Sequence, residues 1–308
     1  MAKPTVKEPT VVAVLGLGEA GSALAAGLMR EWRGADESRR VIAVDTALGD
    51  NLRGAAIQDR ARDLGIAIEG RYTPALANAD VVFCVVTGVE AKYAALAARQ
   101  FLRPGTLYFD INTLTGPQTM DIARDMSGAG IDYVDFAAMG GFAACGHKVP
   151  FVLAGPAAER AANWMRPYGF VTRILSARAG DASAVKIIRS VMVKGIEALG
   201  VECLVAARRA GLLDEVLDCF CDIDARGFAG MVKSLTTTHP VHAKRRMEEM
   251  DKAIENLREL GVEPLMSQRT REVLARTVDA GIAPADGGLV SFNETIELLS
   301  KHVVKGSP

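Results

Sequence analysis

The sequence predicts an α/β chain in which a Rossmann-type, doubly wound, mostly parallel sheet is followed by an all-α C-terminal domain. Three observations carry this. Up to about residue 176, short β-rich runs alternate with helical stretches, the pattern of a parallel sheet covered on both faces. After Gly180 the β-rich runs disappear. The first apolar run, 11–15, leads directly into the glycine loop Gly16-Leu17-Gly18-Glu19-Ala20-Gly21, and a helical segment follows it. With 308 residues, 49% of them hydrophobic, the chain is long for a single core, so two domains are expected, 1–178 and 179–308.

Taken in order, the strand 11–15 and a helix over 20–33 flank the loop. Gly16 suits the tight strand-to-helix turn, Gly18 allows the backbone to approach a pyrophosphate, and Gly21 allows helix and strand to pack closely. The unpaired N–H groups at the helix start, around Glu19 and Ala20, then face an anion. The next strand, 41–45, ends in Asp45. A carboxylate there accepts hydrogen bonds from ribose hydroxyls and repels a 2′-phosphate, which favours NAD; Arg53 and Arg60 follow closely enough to keep NADP possible. The run 81–86 is apolar through its centre, as a strand buried on both faces requires, and its end at Val86, Thr87 and Gly88 is expected at the cofactor crevice.

Strands near 107–110, 133–135, 151–154 and 171–175 extend the sheet to seven or eight. From 183 to 210 there is no proline, and Val185, Ile188, Met192, Ile196, Leu199 and Cys203 recur at helical spacing, so one long amphipathic helix enters the second domain. Another helix follows Pro240, with Gly261 placed to end it. Wide apolar stripes on a small helical domain favour a homodimer.

The 36 basic and 37 acidic residues nearly cancel, which argues against nucleic-acid or membrane partners and for small molecules. Met1 to Thr10 is polar, and no apolar stretch approaches the roughly 20 residues needed to cross a bilayer, so a soluble cytoplasmic protein is expected. The cysteines Cys84, Cys145, Cys203, Cys219 and Cys221 read as reduced thiols in apolar runs, the last two as buried thiols rather than a metal site, and no metal is expected.

Three further segments fall in order after the glycine loop: Asp110-Ile111-Asn112-Thr113 with Gly116-Pro117, then Asp135 to Gly141, then Gly180-Asp181-Ala182-Ser183-Ala184-Val185-Lys186. Together these resemble the β-hydroxyacid dehydrogenases and 6-phosphogluconate dehydrogenase, a group that includes 3-hydroxyisobutyrate dehydrogenase. The resemblance implies an oxidoreductase that moves a hydride between NAD(P) and a hydroxyl-bearing acidic small molecule. It maps the catalytic lysine onto Lys186, whose apolar neighbours Val185, Ile187 and Ile188 would lower its pKa towards neutrality. Lys194 is the competing lysine. Asn112, also a cofactor-side candidate, and Thr113 stand where the family binds a substrate carboxylate or hydroxyl, with turn capping as the alternative; Gly140 and Gly141 match an anion-holding turn.

Two departures qualify the match. Met139 replaces a serine, and Arg189 replaces an asparagine three residues after Lys186, where a cation would orient an acidic group and depress the lysine pKa. Both changes resemble a branch whose C-terminal domain is catalogued as a domain of unknown function. His242 and Arg246, in a basic segment after Pro240, are candidates for a substrate anion, with a solvated helix face as the alternative. Imine reduction and a catalytically silent dinucleotide sensor are the competing functions.

Overall fold

The computed structural model describes residues 11–32, 39–221, 227–284 and 288–304; Met1 to Thr10 and Arg33, expected to end the first helix, lie outside the described residues. The chain divides into two compact units, Met1–Val191 and Met192–Pro308, so the division falls inside the long helix.

Among the described residues the first unit has eight strands: β1 (Val11–Leu15), β2 (Arg40–Val44), β3 (Ala67–Glu69), β4 (Val81–Cys84), β5 (Leu107–Asp110), β6 (Asp132–Ala138), β7 (Phe151–Ala154) and β8 (Thr172–Ser176). They lie in the order β3-β2-β1-β4-β5-β6-β7-β8. The chain builds outward from β1 on one side through β2 and β3, then crosses to build the other side from β4. The switch point therefore lies between β1 and β4, where Leu15 pairs with Cys84, and that is where such sheets bind ligands. Helices α1 (Glu19–Glu31), α2 (Gly54–Leu64), α3 (Ala91–Arg99), α4 (Gly116–Ser127), the short α5 (Phe142–Cys145) and α6 (Ala158–Met165) complete the unit.

Two features depart from a simple alternation. β7 runs antiparallel to β6, because the intervening residues hold only α5 and one 3₁₀ turn, too little chain for a crossover helix. β3 has three residues and a largely exposed pattern, so it carries no apolar run to mark it. Its place in the sheet comes from parallel pairing with β2, continued where Asp45 N–H donates to the Glu69 carbonyl.

The central strands are buried on both faces, and the two faces differ in chemistry. One carries an aromatic cluster in which Phe83 stacks on Phe109 at 4.8 Å and Phe136 on Phe151 at 4.0 Å, with Trp164 and Phe170 beside them. On the other face α3 brings Ala91, Ala94, Ala95 and Ala98 against Cys84, Tyr108 and Tyr133. Side chains that small let the helix lie close to the sheet, and the tyrosines bring polar atoms into this layer.

The long helix α7 (Asp181–Ala210) is followed by α8 (Leu213–Asp218), α9 (Phe228–Thr237), α10 (His239–Glu259), α11 (Leu265–Asp279) and α12 (Phe292–His302). Pro240 occupies the first turn of α10, where its missing N–H costs nothing, and Gly261 follows the last turn with φ +71°. Glu202, buried on α7, accepts from the N–H groups of Met266 (2.8 Å) and Ser267 (3.0 Å) and so caps α11. One sequence expectation fails here: Cys219 and Cys221 are exposed, as are Cys145 and Cys203, and only Cys84 is buried. The core of the helical unit is shallow, so an apolar run around a cysteine does not decide which face the thiol takes. No helix among the described residues is long and apolar enough to cross a membrane.

Candidate active site at the carboxyl edge of the sheet

The glycine loop forms one wall of a cleft of about 980 Å³ that is also lined by Asp45, Val86 and Thr87. Gly16 has φ +92°, and a Cβ there would overlap the carbonyl of Val85. A Cβ on Gly21 would overlap the carbonyl oxygen of Gly16. These two glycines are therefore required by packing. Gly18 is different: nothing among the described residues lies within 4 Å of the position its Cβ would take, and it opens onto the cleft. It also precedes α1 without any side-chain cap. An uncapped helix start beside open space is a ready site for an anionic group.

Leu17 contributes backbone alone, because its side chain is fully buried against Ala43, Ile57 and Ala61. Its N–H donates to Asp45 Oδ2 at 2.8 Å, and Ala47 N–H donates to Oδ1 at 3.0 Å. Asp45 thus ties the glycine loop to the turn after β2 while remaining at the cleft surface. Arg53 and Arg60 line the same cleft, Arg53 paired with Asp50 and Arg60 donating to the Leu17 carbonyl at 3.4 Å. The charge environment at this end of the cleft is therefore mixed.

Beyond β5 the site is polar and buried. Asp110 closes the strand; Tyr133 donates to its Oδ2 at 2.8 Å, and Oδ1 accepts from Asn112 N (3.0 Å) and Asn112 Nδ2 (2.7 Å). Burial pushes the Asp110 carboxyl up to about 6, against the pull of these donors. Asn112 is itself buried, its Nδ2 also lies 3.3 Å from Cys84 Sγ, and its Oδ1 has no partner among the described residues. Thr113 follows, with its carbonyl against Gly88, where a Cβ would approach to 2.8 Å.

Asp135, next to Asp110 across the β5–β6 pairing, anchors α7. Its Oδ2 accepts from the N–H groups of Gly180 (2.8 Å), Ala182 (2.9 Å) and Ser183 (3.1 Å), and Oδ1 accepts from Ser183 Oγ at 2.6 Å. This carboxylate is the N-terminal cap of the helix that carries Lys186. Lys186 is half-buried, and its pKa is lowered by burial, while the carboxylates of Asp110 and Asp135 act in the opposite direction. The cation expected to depress it, Arg189, is exposed. Desolvation causes the shift.

Met139 packs its side chain with Ala137, Val152, Ala154 and Ala182, so it fills a packing position between the sheet and the start of α7. Gly140 and Gly141 follow it at the surface. Lys194 is exposed and lies 3.9 Å from Glu197. In the helical unit, Arg246 donates to Thr238 Oγ1 at 2.8 Å and to the Leu235 carbonyl at 3.3 Å, and it lines an apolar cavity of about 810 Å³ with His239. His242, on the same helix, does not line that cavity; His239 does, with its Nε2 2.8 Å from Thr277 Oγ1. Sequence reasoning named no role for Asp110, Asp135 or Tyr133. The available signal was a pair of aspartates, Asp110 at the end of β5 and Asp135 within β6, in otherwise apolar strands.

Comparison with known proteins bears on this arrangement. Residues 207–277 match the family model described as Domain of unknown function (DUF1932). A curated relative, an uncharacterized 28.5 kDa protein of Methanothermus fervidus, is 24% identical over 213 residues, covering 69% of this chain and 82% of that protein. Among solved structures, a conserved protein of unknown function described as structurally similar to 3-hydroxyacid dehydrogenases is 27% identical, with TM-score 0.55, 87% of this chain and 97% of that one covered. An imine reductase from Myxococcus stipitatus solved with NADP+ shares the fold at TM-score 0.73 and 16% identity, over 94% of this chain and 100% of that one. The resemblance drawn from the motifs, a hydroxyacid-dehydrogenase-like chain ending in a domain of unknown function, is borne out by these matches.

Proposed function

We propose that this chain is a cytoplasmic NAD(P)-dependent oxidoreductase that transfers a hydride between a nicotinamide and a hydroxyl-bearing acidic small molecule, with Lys186 as general acid and base. The observation that carries the reading is the desolvated amine of Lys186, held on a helix whose first turn is fixed by Asp135. The cleft fits a dinucleotide: Gly18 leaves room for a diphosphate at the uncapped start of α1, and Asp45 offers its remaining acceptor capacity to ribose hydroxyls. NAD is the expected cofactor; Arg53 and Arg60 in the same cleft leave NADP open.

When bound, the nicotinamide supplies the hydride acceptor or donor. In the oxidising direction Lys186, as the neutral amine, would take the proton of the substrate hydroxyl and become the ammonium, and a bound nicotinamide would accept the hydride from the carbon bearing that hydroxyl as it becomes a carbonyl. Burial favours the neutral form, so it is populated at lower pH than in an exposed lysine. The exposed backbone at Gly140 and Gly141 and the guanidinium of Arg189 are assigned to the substrate's acidic group. Exposed apolar side chains on α7, including Val191 at 75% and Val201 at 63%, support a homodimer.

Imine reduction is the second reading, supported by the fold likeness to imine reductases. A screen of hydroxyacids, polyols and cyclic imines read by NADH absorbance separates the two. Lys186→Ala is expected to retain dinucleotide affinity and lose turnover by about 10²-fold or more. Unchanged turnover would remove Lys186 from the mechanism and leave Lys194 or imine chemistry.

A further inference from the structure

The carboxamide of Asn112 is held in one orientation by its surroundings. Its N–H2 end faces the Asp110 carboxylate at 2.7 Å and Cys84 Sγ at 3.3 Å, while Asp110 also accepts from Asn112 N and from Tyr133 Oη. Turning the amide over would set its oxygen against a carboxylate oxygen at the same 2.7 Å, two acceptors with no proton between them. The carbonyl end is thereby forced outward from Asp110. That oxygen is buried and has no partner among the described residues, in a residue only 6% exposed. A buried acceptor left in this state is costly, so a ligand that donates to it gains the difference.

Its place in the fold sets it beside the strand that leads to the cleft. Asn112 follows β5, the neighbour of β4, and the residues after β4, Val85 to Thr87, line the dinucleotide cleft. Gly88 continues from them to lie against the Thr113 carbonyl. We propose that Asp110 and Tyr133 are positioning residues that fix Asn112 as an acceptor, so that the site selects a ligand group bearing an N–H or O–H donor at this point and disfavours a carboxylate or phosphate. This narrows the expectation that Asn112 binds a substrate carboxylate or hydroxyl to the hydroxyl and other donor-bearing groups. It rests on the dinucleotide reading only for the ligand's identity, since the donor is either the cofactor's carboxamide or a substrate hydroxyl or amine.

Two binding arms distinguish these sources. One compares dissociation constants of NAD+ and its 3-acetylpyridine analogue, which lacks the carboxamide N–H2. The other compares 3-hydroxypropionate with 3-methoxypropionate as competitors in the presence of NADH. In one arm the wild type is expected to prefer the donor-bearing ligand by about tenfold, the size of leaving one buried acceptor unpaired. Asp110→Asn lets the neighbouring amide pair in either orientation, and Tyr133→Phe removes the donor that keeps the carboxylate ionised. Each should reduce the preference to about twofold.

A third measurement needs no ligand. In protein labelled with ¹⁵N-asparagine, the Asn112 side-chain protons are expected to exchange slowly with solvent and to shift in both variants. Exchange as fast as for surface asparagines, or a signal that neither variant moves, overturns the proposal. So does a preference in the binding arms that survives both variants in folded protein. If no dinucleotide binds at all, the functional reading fails while the amide signal still decides the role of Asp110.

Discussion

Asp110 links burial to acidity most directly. Its carboxyl is raised from 3.8 to about 6 because desolvation outweighs the donors of Tyr133 and Asn112. A carboxyl raised on folding contributes stability that is fully present below its unfolded value and is lost as pH rises through its folded value, here from about 4 to about 6. A rise of that size is worth about 3 kcal/mol. In urea titrations at about pH 4 and about pH 7, the wild type should therefore lose about 2–3 kcal/mol relative to Asp110→Asn. Parallel pH dependence of the two proteins would mean that Asp110 does not titrate in this window. At this scale the sequence was partly legible. Asn112 was read as a site residue from its motif, while Asp110, two residues before it, was given no role. The amide's direction was not legible, since it depends on Tyr133, which reaches Asp110 only through the pairing of β5 with β6.

The loop between β1 and α1 separates folding from binding. Gly21→Ala places a methyl group on the Gly16 carbonyl and should destabilise the protein by about 1–3 kcal/mol, read as a lower denaturation midpoint. Gly18→Ala adds a methyl group where nothing among the described residues lies within 4 Å, so the midpoint should stay within about 0.5 kcal/mol of wild type while dinucleotide affinity falls about tenfold or more. Equal effects of the two variants on stability would contradict this division of roles. The pattern Gly-x-Gly-x-x-Gly after an apolar run made these elements readable because backbone geometry demands glycine there. β3 escaped because pairing, not apolar pattern, makes it a strand, and the reversal of β7 follows from the length of the connection before it. The capping of α7 by Asp135 brings together residues 45 or more apart, a contact that local periodicity cannot show.

For the whole molecule, the apolar stripe read along 183–210 indicated a long helix, and α7 spans Asp181–Ala210. The same stripe leaves Ile188, Met192, Ile196 and Leu199 exposed at 70%, 42%, 43% and 42%. A second copy covering this face should give a particle near twice 32.7 kDa in light scattering after size exclusion. Met192→Asp with Leu199→Asp should shift that particle towards the single-chain mass, because two charges would be buried in the interface. A wild-type mass of one chain at micromolar concentration would remove the dimer.

The functional account depends on one arrangement, a dinucleotide diphosphate at the start of α1 with its nicotinamide within reach of Lys186. A crystal structure of the protein with NAD+ measures it directly. The account predicts the diphosphate against the N–H groups after Gly18, the adenosine ribose at Asp45, and Lys186 Nζ facing the nicotinamide. A dinucleotide bound away from the glycine loop, or a Lys186 amine turned from the ring into solvent, would contradict it.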